Sequence, residues 1–284
     1  MVIAGCLWGT MGLFVRQFNA YGIQSMTIVL IRAFFTAAIL LLVIIIYDRK
    51  LLKIKFRDLW IFAGMGILSI VLFNYCYFTA VSLMSLSTAA ILLYTSPVFV
   101  MIFSAIIFKE KITLKKVFAM LISIIGLILV TDVLNGSSVI SLNGMIYGII
   151  SAIGYALYSI FSRFALNRGY HPLTTTVWAF IFAAVCSAFM ADIPSCINMF
   201  SSVPSIVFFT IVFSVITSIL PYTLYAFGLK GTENSTAAVL ASIEPVSATV
   251  FGIFFYGEYP SLSAIIGILL VLSALVLCID KHKQ

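Results

Sequence analysis

Apolar residues run along this chain in long continuous blocks, each closed by a short polar or charged stretch. A helix that crosses a bilayer needs about 20 mostly apolar residues. Ten such runs can be placed, at roughly 2–18, 25–47, 59–81, 86–108, 116–132, 142–166, 173–191, 204–228, 234–256 and 261–279. A β-barrel would instead give segments of about ten residues with alternating polarity. The pattern therefore predicts an all-α integral membrane protein with ten transmembrane helices, numbered here as spans one to ten. They use nearly the whole chain and leave no loop long enough to fold alone, so residues 1–284 are read as a single membrane domain without a nucleotide-binding module.

Composition agrees. The 284 residues are 63% hydrophobic and only 9% charged, with a mean hydropathy of +1.21, whereas soluble domains carry about 25% charged residues. The opening MVIAGCLWGTMGLFV lacks the basic start of a signal peptide and carries Trp8 and Gly9 in mid-run, so it is kept as span one. That run starts so close to Met1 that a few native residues are expected to precede it. The cysteines (Cys6, Cys76, Cys186, Cys196, Cys278) are odd in number, form no CxxC pair and mostly sit inside spans, which fits packing and not a disulfide or metal framework.

Charge tests the span count. Lys and Arg gather on the cytoplasmic side of membrane proteins. Of the 16 here, 14 fall in the even-numbered connections and the tail: Arg49, Lys50, Lys53, Lys55, Arg57, Lys109, Lys111, Lys115, Lys116, Arg163, Arg168, Lys230, Lys281 and Lys283. Only Arg16 falls on the other side, and Arg32 lies within span two. A missed or invented helix would scramble this sorting, so both termini are expected in the cytoplasm and the protein in the cytoplasmic membrane. The net charge of +7 then reflects topology and contact with anionic lipid. It does not indicate nucleic-acid binding.

The run also repeats. STAAILLYTSPVFVMIFSAIIFKE (Ser87 to Glu110) aligns without a gap with STAAVLASIEPVSATVFGIFFYGE (Ser235 to Glu258), and upstream Gly5, Trp8, Gly9 and Arg16 answer to Ala152, Tyr155, Ala156 and Arg163. Two repeats follow, 1–135 and 142–280. Five spans in each is an odd number, so the copies must cross the membrane in opposite senses. In transporters built this way substrate sites lie near the midplane between the repeats. Pro97 and Pro245 recur at that depth in spans four and nine. A proline there frees a backbone carbonyl, which a membrane tolerates only beside protein neighbours or a wet cavity. These prolines are read as helix breaks that gate such a cavity.

The duplicated arrangement of Trp8-Gly9, Arg32 and a proline thirteen residues before a glutamate (Pro97 to Glu110, Pro245 to Glu258) resembles the EamA-type drug/metabolite transporter superfamily, and the resemblance covers essentially the whole chain. It implies two inverted five-helix halves, spans one to four and six to nine around a central substrate cavity, spans five and ten at the periphery, and transport by alternating access. Tyr155-Ala156 in place of Trp-Gly, and Phe180 where Arg32 would recur, predict a chemically lopsided cavity.

Glu244 is the sharpest candidate, because a mid-span carboxylate costs a few kcal/mol to insert. It either binds a substrate ammonium or a coupling proton, or pairs with Arg32 or a broken helix. Arg32 either holds a substrate carboxylate by bidentate hydrogen bonds or snorkels outward and fixes its helix. Trp8, Asn74, Tyr75, Tyr77, Tyr94, Tyr155, Tyr158, Trp178, Tyr222 and Tyr225 are candidates for a mixed apolar and polar lining, since a buried tyrosine needs a partner; each has packing as its plainer reading. Gly144, Gly148, Ala152 and Ala156 in span six, and Gly5 and Gly9 in span one, make stripes for close helix approach. Glu110 and Glu258 close spans four and nine and are read as helix-end caps or, for Glu110, as a surface partner of Lys111 or Lys115.

No GxxxxGK[ST], HExxH or GxSxG occurs, which argues against an enzyme or primary pump, and no cofactor is expected. A receptor would not explain oppositely oriented repeats with prolines and a charge at matching depth. With Arg32 the one clear intramembrane cation, phosphorylated polyanions are disfavoured. The expected substrate is a small neutral, zwitterionic or cationic metabolite, an amphiphile such as an aromatic or branched amino acid, exported from the cytoplasm; import or exchange of another small metabolite, or a non-transporting membrane receptor, is the alternative. Lipid is an expected partner, and spans five and ten are the first place to look for a homodimer contact.

Overall fold

The computed structural model describes residues 1–131, 141–257 and 259–278, and among these the chain is helical with no strand. Glu258, Lys281, His282 and Lys283 lie outside the described residues. Six helices are long and apolar enough to cross a bilayer: Ser25–Tyr47, Phe56–Leu83, Leu86–Phe108, Leu142–Asn167, Ile206–Leu229 and Asn234–Tyr256, which match spans two, three, four, six, eight and nine. The seventh run gives Pro172–Ala188, and a bend of 106° joins it to Ile193–Ser202. Spans five and ten are the 17-residue helices Leu114–Val130 and Leu262–Cys278. Span one divides at Thr10 into Val2–Gly9 and Met11–Ala20. The Thr10 hydroxyl donates to the Leu7 carbonyl (2.7 Å), a local bond that competes with helix continuation.

Helix Ile193–Ser202 falls in a stretch that the hydropathy pattern leaves as a connection. It has its own start signal: the Asp192 carboxylate accepts from the Ser195 N–H (3.2 Å) and hydroxyl (2.6 Å), and Pro194 occupies the first turn. Met199 on this helix is buried in a cluster with Phe18, Ile28 and Phe213, so the helix covers one end of spans one, two and eight.

The two spans that carry the repeated prolines are both broken, just before the proline. Span four runs Leu86–Leu93 and Ser96–Phe108, and span nine runs Asn234–Ala241 and Glu244–Tyr256. Pro97 and Pro245 thus sit in the first turn of the second segment, where a missing N–H takes no bond from the helix. The carbonyls upstream find local partners instead: Thr95 Oγ1 donates to Leu92 (2.6 Å) and Ser242 Oγ to Ala238 (3.3 Å). Spans three and eight each contain a π-helical stretch, Gly64–Val71 and Val215–Ile219.

The helices pack in a pattern that is unchanged when the two halves are exchanged. Span one packs on spans eight and nine, as span six packs on three and four; span two packs on seven and eight, as seven packs on two and three; four meets nine, and five meets ten. Glycines make two of these contacts possible. A Cβ on Gly9 would stand 2.7 Å from the Glu244 carbonyl oxygen and from Ser247 Cβ, and one on Gly126 would stand 2.8 Å from the Gly267 carbonyl oxygen. Large apolar side chains such as Ile46 (85% exposed) and Phe254 (80%) point outward, as a lipid-facing surface requires.

Candidate functional site

Between the halves lies a cavity at the level of both helix breaks. It encloses about 580 Å³ of empty space, open mouth included, but a water molecule can be centred in only about 30 Å³ of it. That is room for one or two waters, so an amino-acid-sized guest requires the lining to move.

Span one contributes Trp8, span three Ser69 and Phe73, span four Tyr94, Ser96, Pro97 and Val100, span six Tyr155, Tyr158 and Ser159, span eight Tyr222 and Tyr225, and span nine Ala238, Ala241, Ser242 and Glu244. Spans two and seven supply no lining residue, in contrast to the expected ring of eight spans. Trp8 is the hub of the aromatic wall: its ring centroid lies 5.2 Å from that of Tyr222, 5.6 Å from Tyr225 and 6.3 Å from Tyr155. Tyr158 meets Tyr222 edge-on at 4.8 Å, and the Ser159 and Tyr225 hydroxyls are 2.7 Å apart. Edge-to-face contacts at these spacings are favourable for aromatic pairs.

Glu244 is the first residue of the half-helix Glu244–Tyr256, where exposed backbone N–H groups and the helix dipole favour a carboxylate. Its Oε2 accepts a hydrogen bond from the Tyr155 hydroxyl (3.0 Å), joining spans nine and six across the cavity. The expected alternative of a pair with Arg32 is not what forms. Arg32 is 3% exposed, donates to the sulfur of Met11 (3.5 Å), and makes no ion pair among the described residues; its Nη2 is buried without a partner. Nor does it snorkel outward.

The structure therefore gathers Trp8, Tyr94, Tyr155, Tyr158, Tyr222, Glu244 and Pro97 around one cavity. Pro245 is buried beside it without forming the wall. Five expected site residues are placed elsewhere. Tyr77 packs against the cluster of Ala80, Met84 and Ala89. Asn74 is buried with its amide donating to the Ile70 carbonyl of its own helix (2.7 Å). Tyr75 is 40% exposed, and Phe73, two residues away on the opposite side of the same helix, faces the cavity instead. Trp178 donates to the Leu52 carbonyl (3.1 Å) and anchors the connection between spans two and three. Arg32 stands outside the wall. Ser69, Phe73, Ser96, Ser159 and Ser242 were not singled out by sequence, although Ser96 occupies the residue before the repeated proline, where Glu244 stands in the second copy.

A polar lock closes one end of the bundle. Glu110, after span four, accepts from the Asn234 N–H (2.8 Å), the Ser235 N–H (3.3 Å) and the Ser235 hydroxyl (3.0 Å), and so caps the start of span nine. It is a cap in the other half of the molecule and not on its own helix. Arg163 of span six donates to Asn234 Oδ1 (2.8 Å), the Leu229 carbonyl (2.7 Å) and the Thr232 carbonyl, and Lys116 pairs with Glu233. A second tie joins the neighbouring connections: Asp58 pairs with Arg168 (3.0 Å) and accepts from the Tyr170 hydroxyl (2.7 Å).

The EamA-like transporter family model matches residues 1–132 and 142–279. An uncharacterized transporter of Archaeoglobus fulgidus is 27% identical over 281 residues, covering 98% of this chain and 94% of that protein. The uncharacterized inner membrane transporter YicL of Salmonella typhimurium is 26% identical over 293 residues, covering 100% and 95%. A solved crystal structure superimposes with a TM-score of 0.77 at 18% identity, covering 97% of this chain and 93% of that one, a likeness of fold alone.

Proposed function

The chain belongs to the EamA-like transporter family and is a multi-pass membrane transporter; from that premise we propose that it moves a small neutral, zwitterionic or cationic metabolite by alternating access, as an exporter from the cytoplasm and not as an enzyme. The observation that carries this reading is the cavity itself. Spans from both halves line it at the level of two broken helices, and its one carboxylate is held across the midline by Tyr155. Broken helices beside a central cavity supply backbone and side-chain groups to a substrate without exposing them to lipid.

Ten spans in two inverted halves form part of the proposal. Support comes from packing that is unchanged when the halves are exchanged, and from π-helical stretches in spans three and eight. The Asp58–Arg168 and Lys116–Glu233 pairs bring even-numbered connections together. These carry most of the Lys and Arg, so this end is assigned to the cytoplasm. The Glu110 lock then closes the cytoplasmic mouth, and its release would open the cavity inward.

The test is flux in proteoliposomes over a panel of amino acids, nucleosides and amines. Substrate-dependent flux that Glu244→Gln abolishes, in a protein that remains monodisperse, supports the proposal. Binding without flux across the panel would point to a receptor, and transport of a phosphate ester alone would overturn the substrate argument.

A further inference from the structure

We propose that the cavity selects an organic monocation, a protonated or quaternary amine with an apolar or aromatic body, over the matching amino acid or carboxylate; the inference deepens the transporter reading and concerns the same site. Among the lining residues Glu244 is the only carboxyl group and so the only one able to carry a full negative charge, and no Lys, Arg or His is among them. Around it stand the π systems of Trp8, Tyr155, Tyr222 and Tyr225, with Trp8 packed against the other three at centroid distances of 5.2 to 6.3 Å. Aromatic faces carry negative partial charge and attract cations, most strongly where water is excluded. The same faces repel an anion.

The competing reading is a zwitterion whose carboxylate goes to Arg32. That guanidinium is buried, holds only a thioether as acceptor and leaves Nη2 without a partner, but it is absent from the cavity wall. An anion could also approach the start of the half-helix Ser96–Phe108. Its first turn holds Pro97, which has no N–H to offer. The wall does hold two unpartnered donors, the Trp8 indole N–H and the Tyr158 hydroxyl, but both are neutral, and neither offers a carboxylate the full opposite charge that an ionised Glu244 offers an amine.

Three probes with one phenyl body separate the readings: phenethylammonium, phenylalanine and hydrocinnamate, titrated by equilibrium binding to the purified protein. Phenethylammonium is expected to bind at least about tenfold more tightly than either of the others. Glu244→Gln should remove that preference and Glu244→Asp should keep it. Trp8→Leu, which keeps an apolar side chain but removes the largest π face, should weaken phenethylammonium several-fold. No binding of phenethylammonium, an equal or better affinity for either acid, or a cation preference that survives in a folded Glu244→Gln protein overturns the proposal. A preference for phenylalanine that Arg32→Gln abolishes overturns it in favour of the zwitterion. Cation binding without cation flux upholds the selectivity while refuting transport; flux of phenylalanine with no cation preference does the reverse.

Discussion

Replacing Glu110 by glutamine tests whether the polar lock holds the cytoplasmic mouth shut. Its carboxylate accepts two backbone N–H groups and one hydroxyl at the start of span nine, at 2.8 to 3.3 Å. Glutamine keeps one oxygen as acceptor but loses the other and the charge. Hydrogen bonds to charged groups contribute about 1.5–3 kcal/mol against about 0.5–1.5 for neutral ones, and a charge at a helix N-terminus adds about 0.3–1 kcal/mol. For a partly buried side chain the difference is roughly 1–2 kcal/mol. That corresponds to a rise of about 5–30-fold in the population with the lock open. A cysteine at Ala238 on the cavity wall reports it, in a background whose five native cysteines are replaced. Reaction with a membrane-impermeant thiol reagent applied from the Lys-rich side should accelerate by that factor. Lys116→Gln removes a pair whose partner Glu233 is 52% exposed; exposed pairs contribute about 0–1 kcal/mol, so the acceleration should stay below about fivefold. An unchanged or slower rate in a folded Glu110→Gln protein would refute the lock.

Three further outcomes can be checked on purified protein. Gly9→Ala places a Cβ 2.7 Å from the Glu244 carbonyl oxygen, backbone that cannot yield cheaply, whereas Gly12→Ala meets nothing within 4 Å. The first should cost about 1–3 kcal/mol and the second stay neutral or gain up to about 1 kcal/mol; equal melting temperatures would sink the close-approach argument. Gly126→Val should likewise part spans five and ten, lowering the melting temperature. His171 accepts the Leu173 N–H at its Nδ1 (3.2 Å), and burial, then the charge of Lys230, holds its pKa below the usual 6.5. Its neutral form is favoured by folding, so its contribution is present above about pH 6.5 and lost as pH falls through the lower folded value. His171→Asn, which retains a cap acceptor, should flatten the melting-temperature profile in that window. Parallel profiles would exclude His171 as the source.

Hydropathy made the long spans legible because every helix interior must satisfy its own backbone in lipid, so apolar length maps directly onto structure. Spans two, four, six and nine begin and end within a residue or so of the expected bounds. What length could not carry was rotation. Nearly all faces of these helices are apolar, so there is little polar contrast to say which side chain points inward. In span three Phe73 and not Tyr75 reaches the cavity, two residues apart on opposite sides of one apolar helix. Trp178 followed the same logic in another way: its indole N–H found the Leu52 carbonyl in a connection, a partner that no pattern of spans announces. Local hydrogen bonds also decided the joint at Thr10 and the helix after Asp192, both below the resolution of an apolar run.

The duplicated sequence also raises the question of why a near-symmetric scaffold should enclose a one-sided site. At the equivalent helix starts the first half places Ser96 and the second Glu244, each followed by a proline. At the equivalent positions of spans one and six stand Trp8 and Tyr155, and only the tyrosine has a hydroxyl to give the carboxylate. In span seven, where Arg32 would recur, Phe180 is fully buried and packs edge-on to Tyr222 at 5.0 Å. Glycine contacts let the helices of the two halves approach closely, Gly9 against span nine and Gly126 against span ten, as the proposed rocking between them would require. The polar substitutions break that equivalence only around the cavity, placing a carboxylate and its donor in one half against an indole from the other. Restoring symmetry there should therefore cost binding before it costs stability: Glu244→Ser keeps a side chain that the first half already tolerates in the same helix start, so the protein should fold while losing its cation.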